Sequence, residues 1–196
     1  QFPLLHSFLL TDKGRRLLGH LAPESMRREL GTTLFAAASS VQLVLVFGLW
    51  SPLGGVLWEA SGGVRLGFLF AFGASWLLLG KSMWDAGLGL QTGSMGWWAL
   101  FKGQRPRFGS FPVKGLFAYC RQPIYLAFAL ILWTSPVMTF DRLVLAIVWS
   151  AYCVVGPRLK ESRVAKRHGP AFEAYQARVP YFLPKLPLRG LGQSEG

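Results

Sequence analysis

The chain has 196 residues, of which 52% are hydrophobic and only 15% are charged, whereas soluble domains carry about 25% charged residues. Its 21 basic and 9 acidic residues give a formal net charge of +12, which in a soluble protein would suggest nucleic-acid binding. Because the apolar residues are grouped in long blocks, the composition instead favours a helical membrane protein whose basic loops face anionic lipids, and we expect no nucleic-acid partner.

The first half of the chain predicts one shortened and two complete membrane spans. Residues 2–10 are apolar but too few to cross a bilayer, and we expect them to be the end of a helix whose first part is missing. A basic loop at 13–28 leads to the first full span, 31–50, which contains no charged residue. The second full span is predicted at 64–80, and 81–114 is predicted to be a long basic and aromatic loop.

The second half predicts a helical hairpin followed by a charged tail. Spans are expected at 123–138 and 143–155, joined by a short connection and therefore antiparallel. The tail can form an amphipathic helix at 158–178, which Pro180 would end, and 186–196 is predicted to be frayed. We therefore predict an all-α, polytopic membrane protein with four full spans, a truncated N-terminal span, a C-terminal hairpin and a cytoplasmic amphipathic tail.

The distribution of basic residues predicts the orientation of these spans. The segments 13–28, 81–114 and 158–178 hold nearly all the lysines and arginines, whereas the intervening connections hold almost none. Positively charged loops remain in the cytoplasm, so these three segments are expected on the cytoplasmic side. We therefore expect a multi-pass membrane protein.

Polar side chains are concentrated where the third predicted span begins. The stretch from Arg121 through Gln122 and Pro123 to Tyr125, with Tyr119 just before it, offers a guanidinium, an amide and two phenols. Arg can hold a carboxylate through two hydrogen bonds, and Tyr can stack or donate. The same residues are also ordinary anchors at the end of a span, and composition alone favours the anchor.

Four further residues could carry chemistry, although each has a simpler interpretation. Glu161 lies in a basic tail, where it could form a surface ion pair. Asp85 and Gln91 precede glycines and could cap helix ends or bind loop backbone. His6 lies in an apolar helix, where an ionisable group is costly unless it is used.

Taken in order, these stretches resemble the membrane methyltransferases related to isoprenylcysteine carboxyl methyltransferase, and most of all their bacterial methanethiol S-methyltransferase branch. The resemblance covers nearly the whole chain. It rests on the following segments: His6-Ser7, Trp50-Ser51-Pro52 to Trp58, Asp85 to Gln91, Gly115-Leu116-Phe117 through Arg121-Gln122-Pro123-Ile124-Tyr125, Pro136-Val137-Met138-Thr139, Lys160-Glu161, Gly169-Pro170-Ala171-Phe172-Glu173-Ala174-Tyr175 and Val179-Pro180.

The resemblance implies a single membrane domain that binds S-adenosylmethionine beside its C-terminal hairpin. Its parts would be the truncated span and basic loop at 1–30, two spans and the aromatic loop at 31–114, the cofactor-binding hairpin and tail at 115–185, and the frayed end at 186–196. The family's Arg-His-Pro-x-Tyr motif matches Arg121, Pro123 and Tyr125, and the second residue of its Glu-Glu pair matches Glu161. Gln122 stands where the motif has His, and Lys160 stands where the pair has its first Glu.

The resemblance also implies roles for individual residues. Tyr119, Arg121, Gln122, Pro123, Tyr125, Glu161 and Tyr175 are expected to bind the cofactor. His6, Asp85 and Glu161 are candidates for the base, in no firm order, and Trp84 and Gln91 are candidates for substrate contact. No metal site is expected.

Three functions remain open at this stage. The leading hypothesis is methyl transfer to a small thiol such as methanethiol, giving dimethyl sulfide. A second has the same fold act on a lipid-soluble acceptor, such as a lipid amine, a prenylcysteine or a quinone-like alcohol. A third is a non-catalytic membrane protein that retains the fold. The sequence does not indicate an oligomeric state.

Overall fold

Nine α-helices and two short strands make up the part of the chain that this computed structural model describes, residues 1–184. Residues 185–196 lie outside that part, and with them the predicted frayed end. The elements in chain order are α1 (Phe2–Leu9), α2 (Asp12–Gly19), α3 (Arg27–Gly48), β1 (Val56–Glu59), α4 (Gly62–Asp85), α5 (Leu88–Gln91), α6 (Ser94–Phe101), α7 (Pro123–Trp133), β2 (Val137–Thr139), α8 (Phe140–His168) and α9 (Pro170–Arg178). Single turns of 3-10 helix at Glu24–Met26 and Gly115–Ala118 precede α3 and α7.

Within the described residues, three helices are long and apolar enough to cross a membrane: α3, α4 and α8. A helix needs about 20 apolar residues to span the hydrocarbon core, and these have 22, 24 and 29 residues. Their surfaces expose large apolar side chains such as Val44, Phe70 and Ile147, which suits contact with lipid. The chain is therefore a helical membrane protein, as its composition predicts.

The span predicted at 123–138 is not a full transmembrane helix. α7 has 11 residues and rises only about 16 Å, roughly half the thickness of the hydrocarbon core. It ends at Trp133 because Pro136 disfavours helical geometry in the residue before it. The predicted count of four full spans is thus not confirmed, since the described residues contain three spanning helices and this shorter apolar one.

The two strands are a feature that the all-α prediction missed. β1 and β2 pair antiparallel, with Val56 opposite Thr139 and Glu59 opposite Val137. The pairing joins the connection before α4 to the connection before α8, so both lie at one end of the molecule. The charge distribution predicts this arrangement, because both connections lack the basic residues that mark the loops expected in the cytoplasm.

The last predicted span does not end at 155. α8 continues through Pro157 to His168, so the span and the first part of the tail form one helix. Gly169, with a φ of +49°, separates α8 from α9, because glycine adopts positive φ without steric cost. The tail helix predicted at 158–178 is therefore divided between two helices.

The segment 81–114 is also more helical than predicted, since α4 extends to Asp85 and α5 and α6 follow it. α6 packs closely on the first turns of α3 through two glycines. A Cβ at Gly96 would collide with the carbonyl oxygen of Glu29, and one at Gly93 would lie 2.7 Å from the Cβ of Ala36. Small residues allow helices in membranes to approach this closely.

Candidate functional site

Arg121 lies where three parts of the chain meet. Pro123 occupies the first turn of α7, a position that suits a residue without a backbone N–H, and Arg121 therefore lies just outside the helix. Its backbone N–H donates to the carbonyl of Pro180 at 3.0 Å. This bond ties the segment after α9 to the entrance of α7.

The guanidinium of Arg121 is almost fully engaged by protein groups. Its Nε and Nη2 donate to the two carboxylate oxygens of Glu161, on α8, at 3.0 and 3.2 Å. Its Nη1 donates to the carbonyls of Gln176 and Val179 at 2.9 and 3.0 Å. A guanidinium has five N–H groups, so one, on Nη2, is left without a partner in the described chain.

The carboxylate of Glu161 is likewise saturated. Besides the two bonds from Arg121, it accepts from Gln122 Nε2 at 2.7 Å and from Gln176 Nε2 at 2.9 Å. An ionised carboxylate offers about four acceptor sites, and all are used here. Glu161 and Arg121 are both largely buried, with side chains 10% and 12% exposed, so this is an internal ion pair that organises its surroundings.

Gln122 presents an unpaired oxygen inside the protein. Its side chain is 3% exposed, and the Glu161 carboxylate, which only accepts, fixes its amide nitrogen toward that carboxylate. The Oε1 atom consequently points elsewhere and has no hydrogen-bond partner among the described residues. A buried acceptor without a donor is unfavourable by about 1 to 3 kcal/mol, and a ligand N–H or O–H would satisfy it.

An open cleft of about 460 Å³ lies beside this network. Its lining residues are Arg121, Arg158, Glu161, Ser162, Ala165, Gln176 and Tyr181. The ring of Tyr181 lies 5.5 Å from the Arg121 guanidinium and 5.7 Å from that of Arg158. The cleft thus combines two cations, a carboxylate, one amide and an aromatic ring within reach of one ligand.

Tyr175 and Cys120 hold the walls of the site together. The hydroxyl of Tyr175 donates to the carbonyl of Phe117 at 2.7 Å, and burial raises its pKa to about 12. The Cys120 thiol donates to the carbonyl of Phe182 at 2.8 Å, and burial raises its pKa above the ordinary range. Both residues therefore remain protonated at neutral pH and act as donors that fasten the C-terminal segment.

Two other predicted cofactor ligands lie outside the Arg121–Glu161 network. Tyr125 lies in the first turn of α7, and the Lys160 ammonium is 5.9 Å from its ring. Lys160 does not line the cleft beside Glu161, so its charge is directed toward Tyr125 instead. Tyr119 is 49% exposed and is not among the residues lining the cleft.

Asp85 connects α4 to the turn before the site. Its carboxylate accepts from the backbone N–H of Leu116 at 2.9 Å and from the ammonium of Lys81. It also packs against Gly115, whose φ is +60° and where a Cβ would strike the carboxylate. These contacts make Asp85 an anchor for the 3-10 turn that leads to Arg121.

His6 lies in a separate polar cluster between α1, α3 and α8. Its Nδ1 is 3.1 Å from the Ser39 hydroxyl, and the neighbouring Ser7 hydroxyl is 3.2 Å from that of Tyr152. Tyr152 precedes Glu161 by nine residues on α8, which corresponds to about 13 Å along the helix. The structure does not bring His6 into contact with the Arg121–Glu161 network.

The two residues predicted to contact substrate, Trp84 and Gln91, are exposed at the protein surface. Trp84 is 71% exposed near the end of α4, and Gln91 is exposed at the end of α5. Neither lines the cleft.

Five residues that line the cleft were not predicted from the sequence: Arg158, Ser162, Ala165, Gln176 and Tyr181. Arg158 and Gln176 both fall within the predicted amphipathic tail helix, 158–178, where a polar side chain also has an ordinary surface role. The helical period could have identified Arg158, because it precedes Glu161 by three residues and residues at that spacing share one surface of a helix. Gln176 and Tyr181 reach the site only through the fold-back of the tail.

The fold and this site define a helical membrane protein with a polar cleft beside α8, α9 and the entrance of α7. The family described as "Protein of unknown function (DUF1295)" matches residues 24–179, and the chain belongs to that family. No solved structure matches the chain.

The chain is also similar to curated proteins, among them two that are named for a methyl-transfer activity. It is 27% identical over 184 residues to a methanethiol S-methyltransferase of Crocosphaera subtropica, covering 93% of this chain and 71% of the relative. A methanethiol S-methyltransferase of Mycobacterium tuberculosis is 26% identical over 188 residues, with 93% and 74% covered. Nurim of Xenopus laevis is 31% identical over 133 residues, with 64% and 47% covered. The relatives confirm the resemblance predicted from the sequence and support a membrane methyltransferase.

Proposed function

We propose that this protein transfers a methyl group from S-adenosylmethionine to a small thiol such as methanethiol. The names of the relatives support the reaction class, and the buried, unpaired oxygen of Gln122 is the observation that carries the cofactor assignment. Gln122 does not itself line the cleft but donates to Glu161, which does, so a cofactor group that reaches past Glu161 and donates to this oxygen would complete the network.

The residues present fit such a cofactor. Gln122 would accept from one of its N–H or O–H groups, Tyr181 would contact a flat or cationic part, and the remaining N–H of Arg121 would donate. We propose that Glu161, whose acceptor sites are all used, positions Arg121 and Gln122 rather than contacting the cofactor itself. Tyr119, Pro123, Tyr125 and Tyr175 remain proposals as cofactor-binding residues, Tyr175 through its hold on the surrounding walls.

When bound, the cofactor would supply a sulfonium-activated methyl group, whose carbon a thiol sulfur would attack in line with the bond to the departing cofactor sulfur. The sulfur gains the methyl and loses its proton, and the electron pair of the broken bond remains on the cofactor sulfur. Positioning provides most of the acceleration in such a displacement.

The group that receives the proton remains a proposal among His6, Asp85 and Glu161. The carboxylates of Asp85 and Glu161 are engaged by donors, which weakens both as bases in this arrangement. His6 has a second ring nitrogen, Nε2, that no described residue binds, but the histidine lies away from the cleft. Trp84 and Gln91 stay candidates for substrate contact only if the exposed end of α4 receives the acceptor.

Two alternatives follow from specific observations. The exposed apolar surfaces of the spanning helices would give a lipid or prenylcysteine acceptor a lateral route from the bilayer to the cleft, so a lipid-soluble acceptor is the second candidate. The similarity to Nurim, whose name denotes no methyl transfer, keeps a non-catalytic membrane protein as the third. We further propose that the protein lies in a bacterial inner membrane with the cleft facing the cytoplasm, where the cofactor is made available.

The test is methyl transfer by the purified protein in lipid nanodiscs. S-adenosylmethionine labelled in its methyl group is supplied with methanethiol in one arm and with extracted membrane lipids in the other. We expect volatile labelled dimethyl sulfide in the first arm. Label in extracted lipid alone would favour the lipid acceptor, and no label in either arm, from a folded protein, would favour the non-catalytic protein.

The Gln122 oxygen is tested separately by calorimetric titration with S-adenosylhomocysteine. Gln122→Leu removes the acceptor, and we expect it to weaken binding about tenfold, since a hydrogen bond to a buried partner contributes about 1.4 kcal/mol. Gln122→His restores the residue of the family motif and should bind at least as well as the parent. Equal affinity of the Leu variant and the parent would contradict the assignment.

A further inference from the structure

The saturation of Arg121 raises the question of which group holds the acidic end of a bound cofactor. Arg121 is the natural candidate from the sequence, because its guanidinium can grip a carboxylate with two parallel N–H groups. In the structure those two N–H groups already donate to Glu161, and both N–H groups of Nη1 donate to backbone carbonyls. Arg121 therefore retains one N–H, which is too few for a second two-bond grip.

Arg158 lines the same cleft and is not committed in this way. It lies one turn before Glu161 on α8, and its guanidinium is 5.7 Å from the ring of Tyr181. Among the described residues, no carboxylate lies within ion-pair distance of it. Arg158 contacts the Tyr181 hydroxyl through a side-chain hydrogen bond, and a guanidinium has five N–H groups, so N–H groups remain to receive an anion.

The charges of the lining residues lead to the same residue. Arg121 and Glu161 carry opposite charges and cancel each other, and the remaining lining residues apart from Arg158 are neutral. The net positive charge of the cleft therefore belongs to Arg158. A carboxylate bound there would be neutralised, whereas the sulfonium, at the other end of the amino-acid chain, would be repelled from Arg158.

We propose that Arg158 binds the carboxylate of the amino-acid part of the cofactor. This inference rests on the proposed function, since it concerns the orientation of S-adenosylmethionine in the cleft. It places the acidic end of the cofactor beside Arg158 and Tyr181. The simpler role for Arg158, a surface cation resting on an aromatic ring, predicts no dependence on the carboxylate of the ligand.

Two ligands that differ in the amino-acid part separate these roles. S-adenosylhomocysteine carries the carboxylate, and methylthioadenosine has the same nucleoside and sulfur without it. Both are titrated calorimetrically into the full-length parent protein, Arg158→Gln and a control, Arg167→Gln. The control removes the same charge from the same helix at a residue that does not line the cleft. Thermal unfolding of each variant establishes that it is folded.

We expect Arg158→Gln to weaken S-adenosylhomocysteine about tenfold to a hundredfold, the range of a charge-assisted hydrogen-bonded pair. Methylthioadenosine should bind the variant and the parent equally, and Arg167→Gln should change neither affinity. Unchanged S-adenosylhomocysteine binding in Arg158→Gln would overturn the proposal. So would an equal loss for both ligands, which would mean that Arg158 supports the cleft in general.

The same titrations distinguish a failure of the proposed function. If the folded parent binds neither ligand, the cofactor assignment itself is wrong, and the orientation proposed for Arg158 is rejected with it. If the parent binds both ligands with the same affinity, the cofactor assignment holds and the carboxylate contact is refuted.

Discussion

Replacing Glu161 by alanine tests the ion pair on which the site is built. The change removes the acceptor of four hydrogen bonds and leaves the Arg121 charge buried with two carbonyls. Removing one partner of a buried ion pair costs about 3 to 5 kcal/mol. Because Arg121 borders an open cleft that water can enter, we take about 3 kcal/mol. For a chain of this size each kcal/mol lowers Tm by about 2 to 4 °C, so we expect a decrease of about 6 to 12 °C.

The measurement is thermal unfolding in detergent, followed by circular dichroism at one scan rate for all variants. Glu173→Ala is the matched control, since Glu173 is an exposed carboxylate on the neighbouring helix α9. Its removal changes the charge equally without breaking a described ion pair, and its Tm should stay within about 2 °C of the parent. A decrease in Tm smaller than about 3 °C for Glu161→Ala, or an equal decrease in Tm for the control, would refute a structural role for the pair.

Three further predictions concern the walls of the site and the helix packing. Since burial raises the Tyr175 pKa from 10 to about 12, its contribution to stability is complete below pH 10 and is lost as the pH rises toward 12. Between pH 8 and 11.5 the free energy of unfolding should therefore decline less steeply in Tyr175→Phe than in the parent protein. The exposed Tyr119→Phe should show the same decline as the parent. Because Cys120 is buried with a raised pKa, a maleimide at pH 8 should modify it at least about tenfold more slowly in the folded than in the unfolded protein. Gly96→Ala should lower stability by about 1 to 3 kcal/mol through overpacking, whereas Gly67→Ala, with nothing within 4 Å, should change it by less than about 1 kcal/mol. Equal effects of the two glycine substitutions would contradict the packing.

The long helices are predictable from sequence because each forms its backbone hydrogen bonds within itself. A run of about 20 apolar residues in lipid has no alternative to a helix, so the spans near 31–50 and 64–80 are found within a few residues of their true ends. The span at 123–138 fails for the opposite reason. Its apolar residues continue beyond the end of its helix at Trp133. The residues that follow form backbone hydrogen bonds by pairing β2 with β1, and the paired residues Glu59 and Val137 are 78 positions apart. No local sequence pattern indicates such a pairing.

The site divides in the same way between local and long-range information. The stretch from Arg121 to Tyr125 and the partner Glu161 are recognisable from a motif, and the structure brings Arg121, Gln122 and Glu161 into direct contact. The engagement of Arg121 was not predictable, because two of its bonds depend on carbonyls of Gln176 and Val179. Those atoms reach it only after α9 folds back against α8.

An internal ion pair is by itself weak evidence for stability, because apolar residues of similar volume often serve as well. The pair between Arg121 and Glu161 has a different consequence, since its bonds join α8, the entrance of α7 and the end of α9 in one arrangement. A cleft whose walls are fixed before binding loses less entropy when a ligand enters. Glu161→Ala should consequently weaken S-adenosylhomocysteine and methylthioadenosine in parallel, whereas Arg158→Gln should weaken only the ligand with the carboxylate. The contrast between these two variants separates the residue that shapes the cleft from the residue that orients its ligand.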